Sequence, residues 1–401
     1  MSKASKCLKF PKGFLWGTST SAHQVEGNNT NSDWWLWEQT KNKEGRKYPL
    51  EPSGIACDSY NRYEEDFSLC KKLNNNAVRI SVEWARLEPK QGVFSKKEFS
   101  HYKKVLQSAK SKGLKTFVTL HHFTSPLWFS KKYGWGHPKA SSLFSKYAYK
   151  CAQEFGDLVD VYLTINEPQV YLYMSYVKGI WPPSKKNPFL AFIVNTNFML
   201  SHIRAYKSIK KVNKNYKVGI VKNIMWYKPH RKNNLLDKAV SKFMYFFVAD
   251  FFLLPLKRYT DLIGLNYYFT NEMKGFKAVN PNDVVSDLGW WIYPNGLEKI
   301  LLSLKKYNKP IYITENGLAD EQDKLRKDFI KQMLTSCYQA INKGVNLKGY
   351  FYWSLLDNYE WHEGFWPKFG LISLEKDTLN RIPRKSFFYY AKICKNNSVD
   401  L

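Results

Sequence analysis

Eight short runs of β-branched and aromatic residues recur along this 401-residue chain, and their spacing constrains the fold more than any other feature. They are Phe14–Ala22, Ala77–Trp84, Lys115–Phe123, Val159–Glu167, Lys217–Asn223, Asp261–Tyr268, Pro310–Glu315 and Leu347–Leu355. Each reads as a short buried strand. Helix-period segments lie between them: Lys96–Lys112, Ser141–Phe155, Pro188–Val212, Asn295–Tyr307 and Asp323–Lys343, with Pro383–Lys395 after the last strand. Strands alternating with helices predict a parallel sheet with helices outside it. Eight such units without a Gly-rich dinucleotide turn favour a closed (β/α)8 TIM barrel over an open sheet. No Pro/Ser-rich linker or internal repeat divides the chain, so residues 1–401 read as one domain.

Composition narrows the function classes. A hydrophobic fraction of 44% and an aromatic fraction of 17% supply a core and exclude a disordered chain. The 62 basic against 34 acidic residues give a formal charge of +28, which attracts anionic partners. The lysines are spread as singles and pairs such as Lys71–Lys72, with no Arg-rich arm, so no dedicated nucleic-acid partner is expected. Six cysteines without CxxC spacing argue against zinc and against a disulfide framework. The start, Met1–Pro11, lacks the apolar core of a secretory signal, and a cytoplasmic location with reduced thiols is the expectation. Phe243–Leu256 is the longest apolar run. It is too short to span a bilayer and is interrupted by Asp250 and Pro255. It reads as a helix buried on the barrel. An interfacial helix, for peripheral membrane contact or self-association, is the alternative that flanking Lys242, Lys257 and Arg258 keep open.

The chemistry is carried by two short motifs. TINEP at 164–168 and TENG at 314–317 each put a glutamate, Glu167 and Glu315, at the carboxyl end of a strand. Barrel enzymes keep their reacting groups at that end. Two carboxyl groups on well-separated strands are what glycoside hydrolysis requires. Other polar and aromatic residues fall at the same strand ends: Gln24, Arg79, His122, Asn166, Asn266, Tyr268, Trp353, Glu360 and Trp361. Such a set suits a pyranose, since amides and carboxylates grip hydroxyls while indoles stack on the C–H face.

With those motifs in view, the chain resembles a family 1 glycoside hydrolase, the retaining β-glucosidase and β-galactosidase type. The likeness runs from FPKGFLWGTSTSAHQVEG to WSLLDNYEWHEGFWPKFGL and the last helix. It implies Glu167 as acid/base and Glu315 as nucleophile, with no cofactor and no metal. Gln24, His122, Asn166, Glu360 and Trp361 would then line the non-reducing sugar site, with Trp353 beneath the ring and Trp290 on the leaving-group side. Arg79, Asn266 and Tyr268 would position the nucleophile. Two departures from the family pattern stand out: a short stretch between Asn223 and Asp261, and Phe123 after His122 where many members carry Trp.

The physical roles agree with that implication. An acid must stay protonated, so Glu167 needs burial and a nearby anion, whereas Glu315 needs a cation such as Arg79. Two alternatives remain open at this level. A 6-phospho-β-glycosidase would set its phosphate against Glu360, an unfavourable pairing. A non-catalytic sugar-binding barrel would not need both carboxyl groups.

Overall fold

The computed structural model describes residues 7–40 and 49–401. Eight parallel strands close into a barrel: β1 (Leu15–Ser19), β2 (Ala77–Ser81), β3 (Lys115–His121), β4 (Val161–Asn166), β5 (Lys217–Asn223), β6 (Leu262–Asn266), β7 (Ile311–Asn316) and β8 (Leu347–Trp353). Each strand pairs with the next in sequence, and β8 closes on β1. The (β/α)8 architecture expected from the alternating pattern is the one observed. Most of the strands are buried along nearly their whole length, as strands covered on both faces are.

Side chains fill the barrel in layers. Inward-facing Leu15, Phe117, Leu163, Val221 and Phe351 form an apolar floor. The Phe117 ring lies 4.8 Å from Phe351 and 5.1 Å from Tyr312. Above that floor, toward the strand carboxyl ends, inward positions turn polar, as at Arg79, Asn166 and Glu315. The packed floor and the polar mouth together make this a filled barrel rather than a pore.

Most expected strands ran two or three residues too far at the carboxyl end. In Ala77–Trp84 pairing stops at Ser81, because Glu83 turns to accept from Asn29 Nδ2 (2.8 Å) and Thr124 Oγ1 (2.8 Å), and Trp84 opens a short helix. The helices agree more closely. Pro188–Val212 has the expected limits, with the Asn187 side chain accepting from Leu190 N at 3.0 Å and Pro188 in the first turn. The helix expected from Asp323 starts instead at Arg326. Asp320 holds the preceding turn by accepting from the backbone N–H groups of Leu325 (2.8 Å) and Arg326 (3.0 Å).

Several elements had no signal in the hydrophobic pattern. Cys7–Lys9 pairs antiparallel with Ser398–Asp400, joining the two ends of the chain. A small outer sheet forms from Trp226–Pro229, Thr270–Lys274 and Lys277–Ala278. The apolar run differs from its expectation as core. Within Leu235–Leu256, Val240 is buried against Tyr227 and Met273 of the small outer sheet, and Phe252 and Leu256 in the main core, but Phe243, Phe246 and Phe247 are exposed. One face of this helix meets protein and the other meets solvent.

Candidate active site

The local fold of each motif explains its residues. In TINEP, β4 ends at Asn166, and Glu167 adopts a left-handed backbone (φ 41°) before Pro168 starts a short helix. A non-glycine residue in that conformation is strained and needs support from its surroundings. Here Glu167 N donates to Val221 O of β5 at 3.0 Å. In TENG, Gly317 has no room for a side chain: a Cβ there would lie 1.7 Å from the Trp353 carbonyl oxygen. The motif glycine lets the loop after β7 cross against β8.

Glu315 is buried (3% exposed) and receives two donors. Arg79 Nη1 forms an ion pair with Oε1, and the Tyr268 hydroxyl donates to Oε2 at 2.7 Å. Burial first, and then the Glu315 charge, hold the Tyr268 pKa well above 10, so this hydroxyl stays a donor. Arg79 is itself fixed by Thr119 Oγ1 (3.2 Å) and Asn166 Oδ1 (2.7 Å). Removing Arg79 would therefore leave a buried carboxylate without its counter-charge.

Glu167 lies in a different field. Its Oε1 accepts from two neutral amides, Asn266 Nδ2 at 2.6 Å and Asn223 Nδ2 at 3.1 Å. Burial is the main influence on its pKa and Glu315 the second; together they push it from 4.5 to about 8 against those amides and Arg79. Asn266 thus corrects an expectation. It lies beside Glu315 in the β6–β7 register, but its amide reaches Glu167, because Thr314 Oγ1 donates to its Oδ1 (2.6 Å) and turns the N–H group the other way. Asn223 was missed. Its available signal was its place at the carboxyl end of the fifth strand.

The residues expected at the sugar site converge on the same barrel mouth. Asn166 Oδ1 accepts from Arg79 and, at 3.3 Å, from Asn266, which identifies the other amide atom as its Nδ2. That Nδ2 meets His122 Nε2 at 3.0 Å, so the ring accepts there and carries its proton on Nδ1. Burial holds His122 neutral, well below its ordinary pKa of 6.5. The His122 Nδ1 is buried and has no hydrogen-bond partner among the described residues. The His122 ring lies nearly parallel to the rings of Trp361 (centroids 5.9 Å apart) and Trp353 (6.2 Å). Gln24 Nε2 is 3.4 Å from Glu360 Oε2. Trp290 packs edge-on against Tyr268 at 5.5 Å. Every expected site residue is therefore tied to at least one other.

Glu360 differs from the simple carboxylate assumed above. Burial, then Glu315 and Glu167, push it from 4.5 to about 8, so it is mostly protonated at neutral pH. Three carboxyl groups share one site, and the cation Arg79 is committed to Glu315.

Lys222 was also missed. Its neighbours Ile220 and Ile224 join the helix-side core while Val221 joins the interior, so Lys222 points outward from β5. It is fully buried, and its Nζ has no hydrogen-bond partner among the described residues and lies 4.9 Å from the Phe252 ring centroid. Burial pushes its pKa from 10.5 to about 7, with Glu167 opposing that shift. An unfolded lysine holds its proton to about pH 10.4. The folded state therefore binds fewer protons between about 7 and 10.5, and stability from this group rises with pH across that window. Lys222→Met is expected to stabilise the fold by about 2–4 kcal/mol at pH 7, and by much less near pH 10. Denaturant midpoints at the two pH values measure it; an equal change at both would refute the burial penalty.

The pattern of glycosyl hydrolase family 1 matches residues 7–260 and 253–399. A β-glucosidase A from Thermotoga maritima is 31% identical over 98% of this chain and 99% of its own length. A β-galactosidase from Pyrococcus woesei is 31% identical over 97% of this chain and 98% of its own. Among solved structures, a β-glycosidase from Pyrococcus horikoshii superposes with a TM-score of 0.91 at 36% identity, covering 99% of this chain and 97% of the other. A match across nearly the whole length, with paired glutamates at the carboxyl ends of β4 and β7, places this chain in glycosyl hydrolase family 1.

Proposed function

We propose that Glu167 is the acid/base and Glu315 the nucleophile of this β-glycosidase, acting on terminal non-reducing β-D-glucosides and β-D-galactosides. Family 1 membership makes the chain a glycoside hydrolase of the retaining type. The assignment of roles rests on one observation, the asymmetry of the two carboxyl groups. Glu315 faces a guanidinium and a hydroxyl, which favour an anion able to attack carbon. Glu167, raised to about 8, faces neutral amides and keeps a proton to give to the departing oxygen. In the first step Glu315 bonds to the anomeric carbon as the glycosidic bond breaks, and Glu167 protonates the leaving oxygen. In the second, water attacks that carbon, gives its proton to Glu167 and releases Glu315. Two inversions leave the sugar in its original β configuration. Proton NMR of the product formed first should show the β anomer; α product would overturn the assignment.

Glu360 and Gln24 are the hydroxyl-binding pair in this reading. Glu360→Ser is expected to lower kcat/KM for aryl β-glucosides about tenfold to a hundredfold, the loss of a hydrogen bond to an ionisable group. The repulsion first expected between Glu360 and a 6-phosphate is softened by its raised pKa. The clustered carboxyl groups still oppose a phosphate, because each that ionises adds negative charge to the site. A panel of aryl β-glucosides, β-galactosides and 6-phospho-β-glucosides tests this directly. Preference of the native enzyme for the phosphorylated sugar would show the substrate class to be wrong.

A further inference from the structure

The helical segment Leu235–Leu256 has two unlike faces. By length and composition its 22 residues are apolar enough to cross a membrane. Its inner face is fastened to the rest of the fold, however. Asp237 is held by Arg231 (2.9 Å) and Gly275 N (2.8 Å), and Asp250 by the Tyr307 hydroxyl (2.7 Å) and Lys306 (2.6 Å). Spanning would detach buried Val240, Phe252 and Leu256 and carry both carboxyl groups into hydrocarbon. The segment can lie on a bilayer but not through one.

Its outer face is suited to that. Leu235 (80% exposed), Phe243 (59%), Phe247 (50%) and Leu254 (50%) recur along one side of the helix, with Leu236 and Phe246 beside them. Large exposed side chains grouped in this way, rather than scattered, mark a contact surface. Lys238, Lys242 and Arg258 flank the face, are exposed, and form no ion pair among the described residues.

Charge decides between two occupants. A two-fold pair of copies would set this cationic rim against its own image, in a protein already carrying +28. An anionic bilayer complements both parts, since its headgroups meet the lysines and its acyl boundary receives the phenylalanines. We propose that the Leu235–Leu256 face docks this enzyme on anionic membrane surfaces.

Flotation of the full chain with vesicles tests the proposal. Binding is expected to vesicles of phosphatidylglycerol and phosphatidylcholine, and to weaken as salt screens the charges. The triple variant Phe243→Ser, Phe246→Ser, Phe247→Ser should bind at least about tenfold more weakly. Lys238→Glu with Lys242→Glu should bind more weakly by about fivefold or more per cation. The control is Lys71→Glu with Lys72→Glu, the same charge change on the exposed end of Ser59–Lys72, the helix before β2. Circular dichroism and melting checks that each variant folds. Equal losses in the two charge variants would mean diffuse attraction and overturn the docking face. So would unchanged binding of the triple variant. A native dimer in solution that the triple variant converts to monomer, with no flotation, would assign the face to a second copy instead.

Discussion

Glu315→Ala is expected to lower kcat about 10^4- to 10^6-fold for every β-glycoside, whatever its leaving group, because the covalent step loses its nucleophile. The structure makes a second outcome specific. Without Glu315, Arg79 and the Tyr268 hydroxyl face a vacated space that had held an anion. Azide supplied in solution is therefore expected to restore part of the turnover of a nitrophenyl β-glucoside by attacking the anomeric carbon from that side. One displacement inverts configuration, so the product is the α-glycosyl azide. A β-glycosyl azide from this variant would show that the nucleophile lies elsewhere. The fold should survive the change, and a melt beside the assay checks this, since Arg79 keeps its contacts to Thr119 and Asn166.

Glu167→Ala is expected to separate substrates that Glu315→Ala treats alike. Aryl glycosides with good leaving groups need little proton assistance, so glycosylation should be nearly spared for nitrophenyl substrates. It should fall steeply for alkyl glycosides and disaccharides, by about 10^2- to 10^4-fold. Azide should now replace water in the second step and give the β-glycosyl azide, the opposite outcome to that for Glu315→Ala. The pH profile supplies an independent reading. Glu167 is protonated below about 8, so kcat/KM should decline as pH rises through that region. Glu360 has a similarly raised pKa and interacts with Glu167, so the native limb belongs to the pair. In Glu167→Ala the part of that limb owed to Glu167 should disappear. Equal losses across leaving groups, with an unchanged limb, would count against the acid role.

Much of the active site could be read from the chain because its parts are local. A strand end followed by Glu and then Pro or Asn-Gly is visible within six residues. The alternation of strand and helix that makes a barrel repeats over spans a sequence shows directly. Tertiary structure decided what lies across the strands. The family resemblance assigned Asn266 to Glu315, yet the turn of its amide depends on Thr314, and its reach to Glu167 depends on barrel closure. Asn223 is invisible as a partner of Glu167 until β5 is placed beside β4 with a register shift before Asn166. The raised pKa of Glu360 likewise arises from burial and two carboxyl groups distant in sequence. Hydrophobic pattern also failed to divide Phe243–Leu256 into buried and exposed faces. It is apolar nearly all round, and a periodicity argument needs polar residues to mark the outer side. Local order in the sequence determined the elements and the chemical groups at their ends. Which groups face one another, and which apolar surface remains uncovered, followed from packing, because both depend on contacts between residues far apart along the chain.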